Sequence, residues 1–317
     1  MTEHGAWLPT ECPVASDEEI DRVAEFLARG RVLVLTGAGC STESGIPDYR
    51  GPITRLRPRT PLTWQAFADD LELRRRYWAR SFVGWSSFRD ARPCAAHRAL
   101  VALESASIVQ MLLTQNVDGL HERAGHQAHL ELHGSLWRAT CPDCGHVIER
   151  NELQEILARR NPEWARCGRR ALMAPDGDAD VDGGGLTDFA LAPCPSCGGD
   201  RLKPGVVMFG ESVPHAVREA SLAALSDCAG LLVVGSSLSV YSGFRYVQRA
   251  AQQRIPACLV NIGLPVRGGE LFSLRVDGRA GDVLVRAARR VGAIDSLDIG
   301  HHRVGHARYP SNTRAPG

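Results

Sequence analysis

The chain has 317 residues, 44% of them hydrophobic, a net charge of +1 and ten cysteines. That is about two domains' worth of chain, with enough apolar residues for a core of its own. The balanced charge excludes a bulk electrostatic pull toward nucleic acid or a membrane surface. Lys203 is the only lysine, so 37 − 1 = 36 of the basic residues are arginine, a bias read as codon usage in a GC-rich genome. No run approaches the roughly 20 apolar residues of a membrane span. The acidic N-terminus (Glu3, Glu11, Asp17, Glu18, Glu19) lacks the basic start and apolar stretch of a signal peptide. A cytoplasmic protein is expected, with reduced cysteines for which metal binding outranks disulfides.

Residues 1–16 read as a loose arm. Asp17 is expected to cap a helix running to about Arg29, with Ile20, Val23, Phe26 and Leu27 on one face. A buried strand, Val32–Leu35, follows and runs straight into a glycine loop, Thr36-Gly37-Ala38-Gly39-Cys40-Ser41-Thr42-Glu43-Ser44-Gly45-Ile46-Pro47-Asp48-Tyr49-Arg50. A strand feeding such a turn brings backbone N–H groups up to a phosphate. The spacing departs from the dehydrogenase fingerprint, because the glycine after Gly39 comes six residues on where G-x-G-x-x-G needs three. Pro47 then prevents a long crossover helix.

Residues 53–93 are Arg- and Trp-rich and read as a helical flap, too long for a simple connection. A helix over His97–Ser105 leads to a strand, Ile108–Leu113, which ends in Thr114-Gln115-Asn116-Val117-Asp118-Gly119. Leu130-Glu131-Leu132-His133-Gly134 then sets a histidine between an apolar stretch and a glycine turn, and a neutral imidazole can act as a general base. Residues 141–202 break the α/β rhythm and carry two C-x-x-C knuckles, Cys141/Cys144 and Cys194/Cys197, each followed by glycine. Four thiolates so spaced predict one closed, structural Zn²⁺ site. Between the knuckles, Pro175–Gly185 reads as a polar loop, and Cys167 lacks a C-x-x-C partner.

Val206–Phe209 resumes a strand, and Leu231–Gly235 and Ala257–Asn261 are two more, separated by a helix near 243–253. A last helix covers about 281–291, and the His- and Arg-rich residues 293–317 read as a disordered tail. Strands alternating with helices predict an α/β fold, a doubly wound parallel Rossmann-like sheet with a zinc-ribbon module and a helical insertion. Residues 17–140 and 203–292 form the expected nucleotide domain and 141–202 the zinc module.

Gly37-Ala38-Gly39-x-Ser41-x-x-Ser44-Gly45-Ile46-Pro47-Asp48-Tyr49-Arg50 resembles the first signature of the sirtuins (Sir2 family), the NAD-dependent protein deacylases. Gln115–Gly125, followed by Leu132-His133-Gly134, resembles the second. The likeness covers about residues 20–290. It implies that NAD is bound by Gly37, Ala38, Gly39, Ser41, Glu43, Ile46, Pro47, Asp48, Tyr49 and Arg50, by Gln115, Asn116, Val117, Asp118 and His133, and by Gly235, Ser236, Ser237, Asn261, Ile262, Gly263 and Ala280. In this scheme the acyl oxygen of a modified lysine attacks C1′ of the nicotinamide ribose. His133 removes a ribose hydroxyl proton, Asn116 and Asp118 hold ribose and carboxamide, and lysine and O-acyl-ADP-ribose leave. Zinc does no chemistry.

Acyl-lysine peptides are the implied partners, without nucleic acid or membrane, and the protein is expected to be a monomer. Val206, Met208, Phe209, Gly210 and Glu211 on one side and Leu238, Ser239 and Val240 on the other resemble the strips between which family substrates lie as an added strand. Several segments resemble the class II group of the mitochondrial type 4 sirtuin, among them Arg76–Trp85 and Leu202–Gly210. Cys40 departs from the aliphatic residue usual in that loop. Tyr77-x-x-Arg80 resembles the pair by which desuccinylase-type sirtuins grip an acidic acyl group, as arginine grips a carboxylate bidentately. The alternative activities of the same pocket are protein mono-ADP-ribosyl transfer and NAD hydrolysis.

Overall fold

A computed structural model describes residues 13–48, 62–166, 172–173, 179–180, 188–263 and 266–295. Tyr49, Arg50, Cys12, Cys167, nearly all of the Pro175–Gly185 loop and nearly all of the expected tail lie outside these residues. Strands β1 (Val32–Thr36), β2 (Val109–Thr114), β3 (His129–Glu131), β9 (Gly230–Val234), β10 (Ala257–Asn261) and β11 (Leu274–Asp277) form one six-stranded sheet. Its order is β11-β10-β9-β1-β2-β3, and every pairing is parallel. The chain leaves β1 toward β2 on one side and returns later to β9 on the other, so the order reverses at β1 and β9. Nucleotide crevices form at such a switch point, beyond the carboxyl ends of the strands.

Both faces of the sheet are covered, which is why β1 is apolar along its whole length and buried at all five residues. Val32 and Val34 point into a core shared with α1 (Asp17–Leu27), α4 (Ala95–Ser105) and α10 (Ala280–Arg290). Leu33 and Leu35 point into the opposite core, shared with α8 (His215–Asp227) and α9 (Tyr241–Gln252). Each such side chain contributes about 1.5–3 kcal/mol by leaving water.

The 53–93 region is helical where described, as α2 (Trp64–Asp69) and α3 (Leu71–Asp90). Phe67, Trp78 and Phe82 from these helices pack on β4 (Gly134–Thr140), β5 (Val147–Glu149) and α6 (Arg150–Arg160) through Ala139, Ile148 and Leu153. Arg150 is buried there with its guanidinium over Trp85 at 4.6 Å, and burial pulls its pKa down to about 10. The short α5 (Leu120–Ala124), α7 (Pro162–Arg166), β6 (Leu172–Met173) and β7 (Ala179–Asp180) complete the described elements besides β8. No helix among the described residues is long and apolar enough to cross a membrane.

Three expectations need correction. The strand expected at Val206–Phe209 is β8, Lys203–Val206, and it pairs antiparallel with β4 in a separate three-stranded sheet, β5-β4-β8. The first helix is capped by Ser16, not Asp17: Ser16 Oγ accepts from Glu19 N at 3.2 Å and Glu19 Oε2 accepts from Ser16 N at 2.8 Å. This Ser-x-x-Glu capping box is better satisfied than a cap one residue later. The end of the arm is therefore tied down, since Ala15 is buried and its carbonyl accepts from Arg286. Strand β11 and helix α8 were absent from the expected elements.

Candidate active site

The glycine loop turns through two short 3-10 segments, Ala38–Cys40 and Thr42–Ser44, directly after β1. Gly37 N donates to Val234 O at 3.0 Å and Gly39 N to Gly235 O at 2.8 Å, so the loops after β1 and β9 lie backbone against backbone. A β-carbon on Gly37 would stand 2.8 Å from Gly235 O, and one on Gly39 would stand 2.9 Å from the same atom. Only glycine permits that approach. Gly37→Ala is expected to cost about 1–3 kcal/mol of stability and to weaken NAD binding, read by thermal melting and calorimetric titration. A wild-type melting temperature with wild-type affinity would show that the two loops separate freely.

The loop after β2 completes a narrow cleft, open to solvent and lined by Ala38, Ser41, Ile46, Gln115, Asn116, Val117 and Asp118. Its polar groups are fixed by one another. Asn116 Nδ2 donates to Gly37 O and to Ser41 Oγ, both at 3.0 Å, and Ser41 Oγ donates to Asp118 Oδ2 at 2.7 Å. Asp118 Oδ1 accepts from Leu120 N at 2.8 Å, and Trp137 Nε1 donates to the Asp118 carbonyl at 2.8 Å. Burial pushes the Asp118 carboxyl pKa up, a shift opposed by the Leu120 and Ser41 hydrogen bonds. Gln115 Nε2 donates to Ser236 Oγ at 2.8 Å, joining this loop to the one after β9.

His133 sits between β3 and β4, where the large sheet hands over to the small one. Its Nδ1 lies 2.9 Å from Gln115 O, and its Nε2 lies 2.7 Å from Ser242 Oγ. A carbonyl only accepts, so Nδ1 carries the proton and the Nε2 lone pair receives the Ser242 hydroxyl. Burial lowers the His133 pKa below its ordinary value, and the ring is therefore neutral at pH 7. Ser242 was missed in the sequence. It lies in the first turn of α9, 109 positions away, and no local spacing links it to the histidine.

The other expected positions are distributed around this centre. Gly235, Ser236 and Ser237 follow β9 beside the glycine loop. Asn261 ends β10, one strand farther along, and Ile262 and Gly263 follow it, where Gly263 N donates to Asp277 Oδ1 at 3.0 Å. Glu43 Oε2 accepts from Gly281 N at 3.1 Å, fastening the loop to the start of α10 beside buried Ala280. Pro47 and Asp48 end the described part of the loop. Tyr77 packs edge-on against Phe67 and Trp78, and Arg80 lies one turn along the same helix, α3. Val206 and Met208 join the core under this helical region, while Phe209 is 48% exposed. Glu211 is held by Lys203 Nζ at 2.5 Å and by Met208 N at 2.8 Å. Leu238 is buried at a positive φ of 55°, followed by Ser239 and an exposed Val240.

The four cysteines of the two knuckles come together. Cys141, Cys144, Cys194 and Cys197 bring their sulfurs within 4.8 Å of one another, with Cys141–Cys197 at 3.6 Å and Cys144–Cys194 at 3.7 Å. Tetrahedral Zn–S bonds of about 2.3 Å place sulfurs about 3.8 Å apart, so the set fits a structural zinc ion. Gly145 and Gly198 follow the second cysteine of each knuckle at φ of 74° and 75°, and each donates its N–H back to the first cysteine.

The Sir2 family profile matches residues 37–242. A protein named NAD-dependent protein deacetylase from Xanthomonas axonopodis pv. citri (strain 306) is 50% identical over 254 residues, covering 80% of this chain and 85% of that protein. A solved structure described under "Structural Basis for the Mechanism and Regulation of Sir2 Enzymes" is 29% identical with a TM-score of 0.69, covering 87% of this chain and 99% of that one. Sir2Af2 bound to a myristoylated histone peptide is 26% identical with a TM-score of 0.62, covering 87% and 97%. The glycine loop, the second loop and His133 all fall within the matched span, and the chain belongs to the Sir2 family.

Proposed function

We infer that the protein is an NAD-dependent protein deacetylase that moves the acyl group of an acyl-lysine to ADP-ribose, releasing nicotinamide, O-acyl-ADP-ribose and lysine. The observation that carries this reading is the 50% identity with an NAD-dependent protein deacetylase over 80% of the chain. The site's chemistry agrees with it: a neutral histidine is hydrogen-bonded to Gln115, which lines a cleft of amide, hydroxyl and carboxylate groups at the switch point of a doubly wound sheet. ADP-ribosyl transfer to protein and NAD hydrolysis use the same pocket, and the relatives favour neither.

NAD, when bound, supplies the ribosyl acceptor of the acyl group and nicotinamide as the leaving group. His133 then takes up a hydroxyl proton at Nε2, with its Nδ1–H held on Gln115 O so that the accepting lone pair keeps its direction. Ser242 must release Nε2 before that transfer. Asn116, Ser41 and Asp118 orient ribose and carboxamide groups through the chain of hydrogen bonds they already share. Ile46 gives the pocket an apolar wall. The Gly37–Gly39 and Gly235–Ser237 turns would border the phosphates, with the Gly37, Gly39 and Gly235 N–H groups already donated to Val234 O, Gly235 O and Val260 O; Asn261 would hold the far ribose and Ala280 would lie on the adenine side. In this reading residues 17–140 and 203–292 are the NAD-binding domain and 141–202 the zinc module. An acyl-lysine peptide lies as an added strand between Phe209 and Val240, whose exposure supports that placement; the histone peptide bound by Sir2Af2 supports a peptide as the partner.

We further propose that this is a class II enzyme resembling the mitochondrial type 4 group, and that Tyr77 and Arg80 favour an acidic or bulky acyl group over acetyl. Mass spectrometry of the protein with NAD and a panel of acyl-lysine peptides tests both levels. Equal amounts of nicotinamide, O-acyl-ADP-ribose and free lysine are expected, whereas nicotinamide without acyl loss would move the assignment to ADP-ribosyl transfer or hydrolysis. Succinyl, glutaryl or methylglutaryl turnover is expected to exceed acetyl turnover and to drop in Arg80→Ala. Acetyl turnover far above the others would end the acyl proposal and leave the deacetylase standing.

A further inference from the structure

Beneath the glycine loop, away from the four-cysteine cluster, lies a second group of metal-ligating side chains. Cys40, His97 and His121 are each at most 2% exposed. Cys40 Sγ and one ring nitrogen of each histidine all lie within 4.8 Å of one another. The two rings are 4.6 Å apart between centroids. Each histidine has one nitrogen engaged. His121 Nε2 lies 2.9 Å from Thr36 Oγ1, and His97 Nδ1 accepts from Cys94 N at 3.3 Å, with Cys94 Sγ at 3.1 Å. The remaining nitrogens, His97 Nε2 and His121 Nδ1, are buried with no hydrogen-bond partner.

A buried polar atom without a partner is costly and needs an explanation. The mechanism above uses none of these three side chains. Burial brings the His97 pKa down to about 3 and pushes that of His121 well below its usual value, so both rings are neutral. Burial raises the Cys40 thiol pKa, and Cys94, Asp118 and Glu43 add to the shift; the negative charge of the two carboxylates also favours a cation. One thiolate with two imidazoles is a donor set for zinc or cobalt, and unsuited to magnesium or calcium, which take oxygen.

We propose that Cys40, His97 and His121 form a second metal site for a borderline-soft divalent cation, zinc or cobalt. On binding, the Cys40 S–H bond breaks and an S–metal bond forms. The thiol proton goes to solvent, His121 donates its Nδ1 lone pair, and His97 donates at Nε2 after its ring proton shifts to Nδ1, where Cys94 Sγ at 3.1 Å accepts it; no electron is transferred. Metal–ligand bonds of about 2.1–2.3 Å bring the ligand atoms of a tetrahedral site within about 3.4–3.8 Å, a contraction of at most about 1.4 Å from their present separations. Thr36 Oγ1, accepting from His121 Nε2, and Cys94 Sγ, accepting from His97 Nδ1 in the metal-bound form, hold the second nitrogens in the way outer partners orient ligating histidines. The site stands independently of the deacetylase reading.

The full-length protein, carrying its zinc, is equilibrated with cobalt(II) and desalted. Zinc and cobalt are counted by mass spectrometry, and the absorption spectrum is recorded on the same sample. Zinc is expected to stay at one per chain while a thiolate-to-cobalt charge-transfer band appears, and both that band and one cobalt equivalent are lost in Cys40→Ala. Tail histidines His301, His302 and His306 can hold cobalt but give no thiolate band. If Cys40→Ala loses its zinc or its folded circular dichroism, Cys40→Ser carries the comparison. Absence of the band with zinc retained would overturn the proposal, and so would a band undiminished in the folded Cys40 variant.

Discussion

Replacing His133 with alanine is expected to lower kcat on an acyl-lysine peptide by about 10²- to 10⁴-fold, the usual share of a general base, with little change in melting temperature. The ring's described polar contacts are two hydrogen bonds, to Gln115 O and Ser242 Oγ, a small part of the stability of the fold. The pH profile is the sharper reading. Burial lowers the His133 pKa from 6.5. The neutral ring is the active form, so activity is present at high pH and is lost as pH falls through a value below 6.5. The acid limb of kcat/KM should therefore lie below 6.5. Ser242→Ala removes the hydroxyl that occupies Nε2 and should shift that limb while keeping most of kcat. An acid limb above 6.5, or a His133→Ala enzyme within tenfold of wild type, would sink the assignment of His133 as base.

Zinc removal should have the larger effect on stability. Structural zinc sites contribute about 10–16 kcal/mol of apparent binding free energy, comparable with the whole net stability of a domain. Cys194→Ser, or prolonged chelation, is expected to abolish the bound zinc and unfold the segment around the knuckles. The damage should reach catalysis, because β4 continues from His133 and pairs with β8, and Val207 N donates to His133 O at 2.8 Å. Metal content, circular dichroism and kcat measured together check this. A metal-free protein with wild-type melting and turnover would show that the cluster is dispensable.

Much of the site was legible in the chain because it is built from local features. The turn after β1 needs glycines at Gly37 and Gly39 where another backbone approaches, and the knuckles need Gly145 and Gly198 at positive φ. Both requirements act over a few residues and leave a fixed spacing. His133 is marked by the likeness of Gln115–Gly125 and Leu132-His133-Gly134 to the family pattern, because a histidine before a glycine turn is by itself more often structural. The continuous apolar run of β1 announced a strand covered on both faces. Strand β11 was harder to see: it is a short edge strand with alternating burial, and Arg275 and Asp277 dilute its apolar signal.

What only the folded structure decided depends on register and packing between distant segments. Lys203–Val206 lies in the small sheet because it finds β4, and its four residues carry no mark of that partner. Ser242 reaches His133 because α9 begins beside the carboxyl edge of the sheet. The buried group of Cys40, His97 and His121 comes from a loop and two helices that share nothing in sequence. Short-range sterics and turn chemistry act within a few residues and are written into the chain. A hydrogen bond across 109 positions exists only once two hydrophobic faces have packed against the same sheet.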